Sequence, residues 1–123
     1  MANPRHLLGL RAEDATARWL SAGGWTVLAR RWRRPEGELD LVCRDPHGVL
    51  VAVEVKLRRG SRSGGPLGSV DRRRIGRLRA GLASFAASER MALAAGLRID
   101  LVTVTPATEG RWRLARFASI DAW

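Results

Sequence analysis

The chain has 123 residues, 46% apolar and 28% charged, which suits one domain with a single packed core and excludes a disordered or fibrous sequence. Its 22 basic residues outnumber 12 acidic ones to give a net charge of +10, so a polyanion such as nucleic acid is the expected partner, although codon usage in a GC-rich genome also raises Arg content. A lone cysteine, Cys43, excludes an internal disulfide and a cysteine-rich zinc site and reads as core filler. Charges at Arg5, Arg11, Glu13, Asp14 and Arg18 interrupt any signal-like apolar run, and no stretch reaches the length of a membrane span. A cytoplasmic protein with no membrane partner is expected.

Asn3-Pro4 predicts a helix start, Asn capping and Pro at the first helical position, with Leu8, Ala12, Ala15 and Trp19 as its apolar stripe and Gly23-Gly24 as its end. Trp25 to Trp32 mixes β-branched and aromatic residues and predicts a first strand. Gly37 to Arg44 and Val49 to Arg58 predict two further strands, joined as a hairpin through the turn formers Asp45-Pro46-His47-Gly48. The segment Gly60 to Gly68 has too little apolar content to pack and reads as a basic loop, a candidate flap. From Ser69 to about Ala87 a second helix is predicted, with Ile75, Leu78, Leu82 and Phe85 inward and Arg73, Arg74 and Arg77 outward. Ser88 is expected to cap a short third helix ending at Gly96, followed by strands at Leu97 to Thr105 and Trp112 to Phe117.

Side chains alternate faces along a strand, so Glu38 and Asp40 are expected on one face and Leu39, Leu41 and Cys43 on the other. On the next strand Val49, Val51, Val53, Val55 and Leu57 share a face, leaving Ala52, Glu54 and Lys56 together. If the hairpin pairs these strands about 4.8 Å apart, Asp40 and Glu54 can converge on one cation. Mg2+ or Mn2+ suits such a site, because carboxylates plus water and phosphate oxygens are the ligands these ions favour. Basic residues number 21 Arg and a single Lys, and that Lys is Lys56. An ammonium is a compact charge able to contact a water or a phosphate oxygen, which a wide guanidinium fork does differently.

The segments Gly37-Glu38-Leu39-Asp40-Leu41-Val42 and Val53-Glu54-Val55-Lys56 resemble the PD-(D/E)XK signature of restriction-endonuclease-like nucleases, and more narrowly the bacterial YraN-like family. Glu13-Asp14 on the first helix and Arg98 with Asp100 on a late strand fall where that family has its other motifs, so the resemblance spans nearly the whole chain. It departs at Ala12, where a Gly usually stands, and at Arg72 to Arg74, which replace a usual Lys. The resemblance implies an α/β (α+β) fold with an αβββαβ core, a mixed central sheet flanked by helices, in a single domain over 1–123. It further implies Asp40 and Glu54 as metal ligands with the Val55 carbonyl as a third, Lys56 beside the attacking water, and Glu13 as an assisting carboxylate.

Several residues support two readings. Glu38 is either a ligand or the partner of an Arg. Glu13 either serves the site or complements the helix dipole. Trp32 either stacks on an unpaired base or anchors the core. Arg98 with Asp100 reads as an ion pair. Arg33, Arg34, Arg58, Arg59, Arg62, Arg73, Arg74 and Arg77 are candidate contacts to the DNA backbone. The leading expectation is a metal-dependent endonuclease acting on branched or single-stranded DNA. The alternatives are a catalytically silent DNA-binding module of the same fold and a basic scaffold for an acidic protein partner. A homodimer is compatible with each.

Overall fold

The structure, a computed structural model, describes residues 3–58, 70–91 and 95–122. The expected flap and the candidates Arg59 and Arg62 lie outside the described residues. At the start of α1 (Pro4–Ala22) the Asn3 side chain accepts the amide of Arg5 at 2.9 Å, and Pro4 occupies the first turn, as the sequence predicts. The buried stripe differs from the expected one. Ala12, Thr16, Ala17 and Leu20 face the sheet while Trp19 is 41% exposed. Small residues permit this rotation, because α1 then lies close to the strands, and the Thr16 hydroxyl is satisfied by donating to the Ala12 carbonyl at 2.8 Å.

Five strands follow among the described residues: β1 (Thr26–Arg34), β2 (Gly37–Arg44), β3 (Leu50–Leu57), β4 (Leu97–Pro106) and β5 (Trp112–Phe117), with α2 (Arg72–Ser88) between β3 and β4. They lie in the order β1-β2-β3-β4-β5, antiparallel except for the parallel β3–β4 pair that α2 bridges. This is the mixed sheet and αβββαβ order expected of a restriction-endonuclease-like core. The β2–β3 hairpin forms as predicted: Asp45 Oδ1 accepts the amides of His47 and Val49, both at 2.9 Å, and Gly48 supplies the left-handed φ of 88°.

Each sheet face is covered by one helix. Val51, Val53, Val102 and Val104 pack with Leu41 and Cys43 beneath Ala12, Ala17 and Leu20 of α1. Leu50, Ala52, Ile99 and Leu101 pack with Leu39 and Val42 beneath Leu78, Leu82 and Phe85 of α2. Each such aliphatic side chain contributes about 1.5–3 kcal/mol on burial. The expected face of β3 is fully realised, since Val49, Val55 and Leu57 border the α1 cluster. Trp32 is half-buried and packs against the α2 cluster, edge-on to Phe85 at 5.9 Å between ring centroids with Arg34 over its ring.

Three further expectations are corrected. Leu39 and Leu41 do not share a face: Leu39 packs toward α2 and Leu41 toward α1. Ser88 does not cap a new helix but ends α2, its hydroxyl donating to the Phe85 carbonyl at 2.9 Å. Arg90 at a φ of 51° then turns the chain out of helical geometry, and 92–94 lie outside the described residues. The second helix starts at Arg72 rather than Ser69, because Asp71 is the N-cap and accepts the Arg74 amide at 2.9 Å.

Helix α2 approaches β2 so closely that a Cβ on Gly37 would lie 2.7 Å from the Arg77 carbonyl oxygen, whereas one on Gly76 meets nothing within 4 Å. Gly37→Ala is therefore expected to lower stability by about 1–3 kcal/mol through displaced backbone. Gly76→Ala, exposed within α2, is expected to raise stability by about 0.5–1 kcal/mol. Denaturant unfolding of both variants checks this, and equal shifts of one sign would contradict the packing described.

Candidate functional site

The β2–β3 ladder runs from Arg44–Leu50 to Leu41–Val53, so the next facing positions are Asp40 and Glu54, where main-chain pairing stops. Asp40 Oδ2 takes over the next contact by accepting the Val55 amide at 2.8 Å. The β1–β2 register shifts earlier, between Val27 and Ala29, and holds across this level, where the irregularity is one of backbone conformation. Between the pairs Arg30–Leu41 and Trp32–Leu39, Arg31 lies opposite Asp40 with a φ of 50°. Alternation breaks there on both strands: Ala29 and Trp32, three residues apart, pack on one side, as do Leu39 and Val42. Such a break re-aims a side chain without ending the sheet, and here it frees the Asp40 carboxyl to meet that of Glu54.

The two carboxyl groups lie close enough to hydrogen-bond to each other when one of them carries a proton. Burial, the bond to Glu54 and its charge, with a further contribution from Glu13, push Asp40 up to about 8, although the Val55 amide opposes this. Burial alone would raise Glu54 too. Hydrogen bonds from Asp40 and Arg74, with the charges of Arg74 and Lys56, instead hold Glu54 below the usual carboxylate range. These opposite directions favour the proton on Asp40 and the charge on Glu54.

The remaining sequence-derived residues divide into those gathered at this point and those set apart. Lys56 lies two residues beyond Glu54 in the half-buried end of β3, with no hydrogen-bond or ion-pair partner for its amino group among the described residues. Glu13 reaches the site from α1 as a neighbouring charge, raised above its ordinary value by burial against the pull of Arg31 and Arg33. Val55 contributes its amide. Glu38 is exposed opposite Arg33, and its charge is felt by Arg74. Arg33, Arg34, Arg73 and Arg77 are exposed, while Arg58 closes β3 by donating its amide to Val104 at 2.8 Å. Arg74 corrects the expectation that it turns outward: its Nε donates to Glu54 Oε2 at 2.6 Å, and the side chain is 31% exposed. It sits one turn from the Asp71 cap, and a long side chain there can reach back over the sheet.

A second polar cluster lies toward the other face. Asp100 is fully buried and accepts from Arg98 Nε at 2.8 Å and Nη2 at 3.0 Å, from Arg116 at 2.9 Å and from the Ser119 amide at 3.0 Å. Arg98 continues to Asp45 at 2.8 Å, and the Trp25 ring lies beneath both guanidinium groups. The expected Arg98–Asp100 ion pair is present. Asp45, Arg116 and Trp25 join it without a sequence signal, because their separation along the chain carries no periodicity.

Residues 12–104 match the sequence profile of the Uncharacterised protein family UPF0102. The chain belongs to this family. A UPF0102 protein of Beutenbergia cavernae is 41% identical over 113 residues, which is 92% of this chain and 94% of the relative. One from Methylococcus capsulatus is 41% identical over 106 residues, 86% of this chain and 84% of the relative. A third, from Symbiobacterium thermophilum, is 42% identical over 106 residues, 86% and 88% of the two chains. Among solved structures, Pyrococcus furiosus SfsA in complex with Ca2+ is similar at 12% identity and a TM-score of 0.41, over 85% of this chain and 62% of that one. UPF0102 is the restriction-endonuclease-like family that the segments at 37–42 and 53–56 resemble.

The donor set of this UPF0102 member fits a small divalent ion. Two carboxyl groups close enough to share a proton can share a cation, and Mg2+ is commonly held by one or two carboxylates with water and phosphate completing the shell. Among the described residues no group of three His, Cys, Asp or Glu side chains gathers. No helix among the described residues is long and apolar enough to cross a membrane.

Asp40 also makes stability depend on pH. Unfolded, it loses its proton near the ordinary 3.8; folded, it keeps it to about 8. The folded state therefore holds the extra proton across that window, and stability falls as pH rises through it. Glu54, shifted the opposite way, acts only at the acidic end. With EDTA present, the melting temperature is expected to decline from pH 5 to pH 8, and Asp40→Asn to flatten the decline and melt above wild type at pH 8. An equal slope in the variant would show that Asp40 is not the protonated partner.

Proposed function

We propose that the chain is a divalent-metal-dependent nuclease that hydrolyses DNA phosphodiester bonds in the cytoplasm, as a single domain over 1–123, with branched or single-stranded DNA as the candidate substrates. The observation that carries this reading is the convergence of the Asp40 and Glu54 carboxyl groups at the place where the β2–β3 ladder stops, with Lys56 on the same strand. A bound Mg2+ or Mn2+ would lower the pKa of a water and stabilise the extra charge of a phosphodiester transition state. Asp40 and Glu54 would hold it, with the Val55 carbonyl as a candidate third ligand. The Val55 amide fixes Asp40 Oδ2 in place, so the carboxyl does not have to be oriented at the moment of binding. Lys56 lies two residues from Glu54 on the same strand, and its amino group can orient a water or neutralise a phosphate oxygen. Glu13, charged and close, can accept a hydrogen bond from that water.

Positive charge frames the pair. Arg33 and Arg34 end β1, three residues before the Gly37 backbone that rests against the Arg77 carbonyl, so the hairpin end and the first turns of α2 lie side by side. Arg33, Arg34, Arg73 and Arg77 thus form one exposed basic rim suited to the phosphate backbone, a contact that gives affinity without sequence preference.

The Arg74–Glu54 ion pair favours a second reading, a catalytically silent DNA-binding module of the same fold, because it neutralises Glu54 without a metal. One experiment separates the two. Branched, single-stranded and duplex DNA are incubated with Mg2+ or Mn2+ and wild type, Asp40→Asn or Lys56→Ala. The nuclease reading expects cleavage that EDTA and Asp40→Asn abolish and that Lys56→Ala slows about a hundredfold or more. Binding without cleavage of any substrate supports the silent module, and cleavage that survives Asp40→Asn places the chemistry elsewhere.

A further inference from the structure

Arg74 holds Glu54 in an unusual manner for an arginine. The guanidinium can clasp a carboxylate with two parallel donors, yet it engages Glu54 through Nε alone, and among the described residues Nη1 and Nη2 have no hydrogen-bond partner. The contact is short, at 2.6 Å, but it uses one edge of the fork, and the side chain remains 31% exposed. The backbone beneath it is fixed independently, since the Arg74 amide donates to the Asp71 carboxylate at the N-cap of α2. The side chain can therefore leave Glu54 without disturbing the helix. Arg72, Arg73 and Arg77 on the same helix already face solvent, so a released Arg74 would join their basic surface.

A carboxylate engaged by a single guanidinium edge has its charge met in the absence of any metal, and a divalent ion using the same oxygen must displace that edge. We infer that Arg74 is the resident counterion of the site: it competes with the divalent cation for Glu54, and once displaced it offers its fork to a DNA phosphate. The inference rests on the reading of Asp40 and Glu54 as the cation site and adds how that site is regulated. Arg74 acts through Glu54 and is a positioning residue. It keeps the metal-free pair from standing as an uncompensated charge, and it couples cation binding to the gain of a phosphate-binding group, because whatever frees the arginine strengthens the basic rim.

The test reads metal affinity directly and does not depend on turnover. Mn2+ binding to the full chain is measured by electron paramagnetic resonance at fixed pH and ionic strength, without nucleic acid, for wild type, Arg74→Gln, Arg77→Gln and Glu54→Gln. Circular dichroism checks that each variant is folded. Arg74→Gln is expected to bind Mn2+ about tenfold more tightly than wild type, the scale of one charge-assisted hydrogen bond. Arg77→Gln removes the same charge from the same helix without touching Glu54 and is expected to stay within about twofold, because an exposed charge at that distance is screened. Glu54→Gln is expected to lose the site. If wild type binds Mn2+ through Glu54 but Arg74→Gln binds no more tightly, or Arg77→Gln tightens binding equally, the competition is overturned and the cation site stands. Binding that is absent throughout, or indifferent to Glu54→Gln, overturns both.

Discussion

Two carboxyl groups brought together between strands cannot both keep their charge, since like charges at contact distance in a low-dielectric setting repel by several kcal/mol. Positive charge has to be found, as a proton, a basic side chain or a metal ion. In this fold the meeting of Asp40 and Glu54 is fixed by backbone: the β2–β3 ladder ends one pair short of them, the Val55 amide pins one oxygen, and the left-handed Arg31 turns β1 and β2 at the same level. The metal-free solution is a proton on Asp40 and a guanidinium on Glu54. Two positive charges are thus recruited for two carboxyl groups, the same total that one divalent ion would bring.

The contrast with Asp100 shows what distinguishes a structural acid from an available one. Asp100 is fully buried and accepts four hydrogen bonds, from two arginines and a main-chain amide, with Trp25 covering the cations. Every lone pair that could bind something else is in use, and removing a partner would leave an uncompensated charge in the core. Asp40 and Glu54 are held by fewer and more exchangeable contacts where the β2–β3 ladder stops. The same residue types therefore serve stability on one side of the sheet and are left open to chemistry on the other.

Much of this was legible in the sequence because it depends on short-range rules. The alternation of Val49, Val51, Val53, Val55 and Leu57 assigns β3 its buried face and places Glu54 and Lys56 together, and the Asp45 to Gly48 turn sets the register that faces Asp40 with Glu54. What escaped depends on features with no local signature. Strict alternation put Leu39 with Leu41, and only the left-handed Arg31, a residue with no side-chain preference for that conformation, breaks the pattern. The apolar stripe of α1 was misplaced because alanines at several spacings fit a close helix–sheet contact equally well, leaving Trp19 outside. Arg74 was read as solvent-facing because helical periodicity assigns directions to Cβ atoms, whereas the end of an arginine can reach back across the sheet. The arginine–aspartate network joins positions 45, 98, 100 and 116, which nothing short of the folded sheet brings together.

The central claim is that Asp40 and Glu54 address a single point at which a divalent ion replaces the proton and the guanidinium. Anomalous diffraction from crystals grown with Mn2+ tests it most directly. The account predicts one strong anomalous peak within coordination distance of both carboxyl groups, about 2.0–2.6 Å from an oxygen of each, with Arg74 withdrawn from Glu54. A map with no peak there, or with Mn2+ bound elsewhere while Arg74 still holds Glu54, would contradict it.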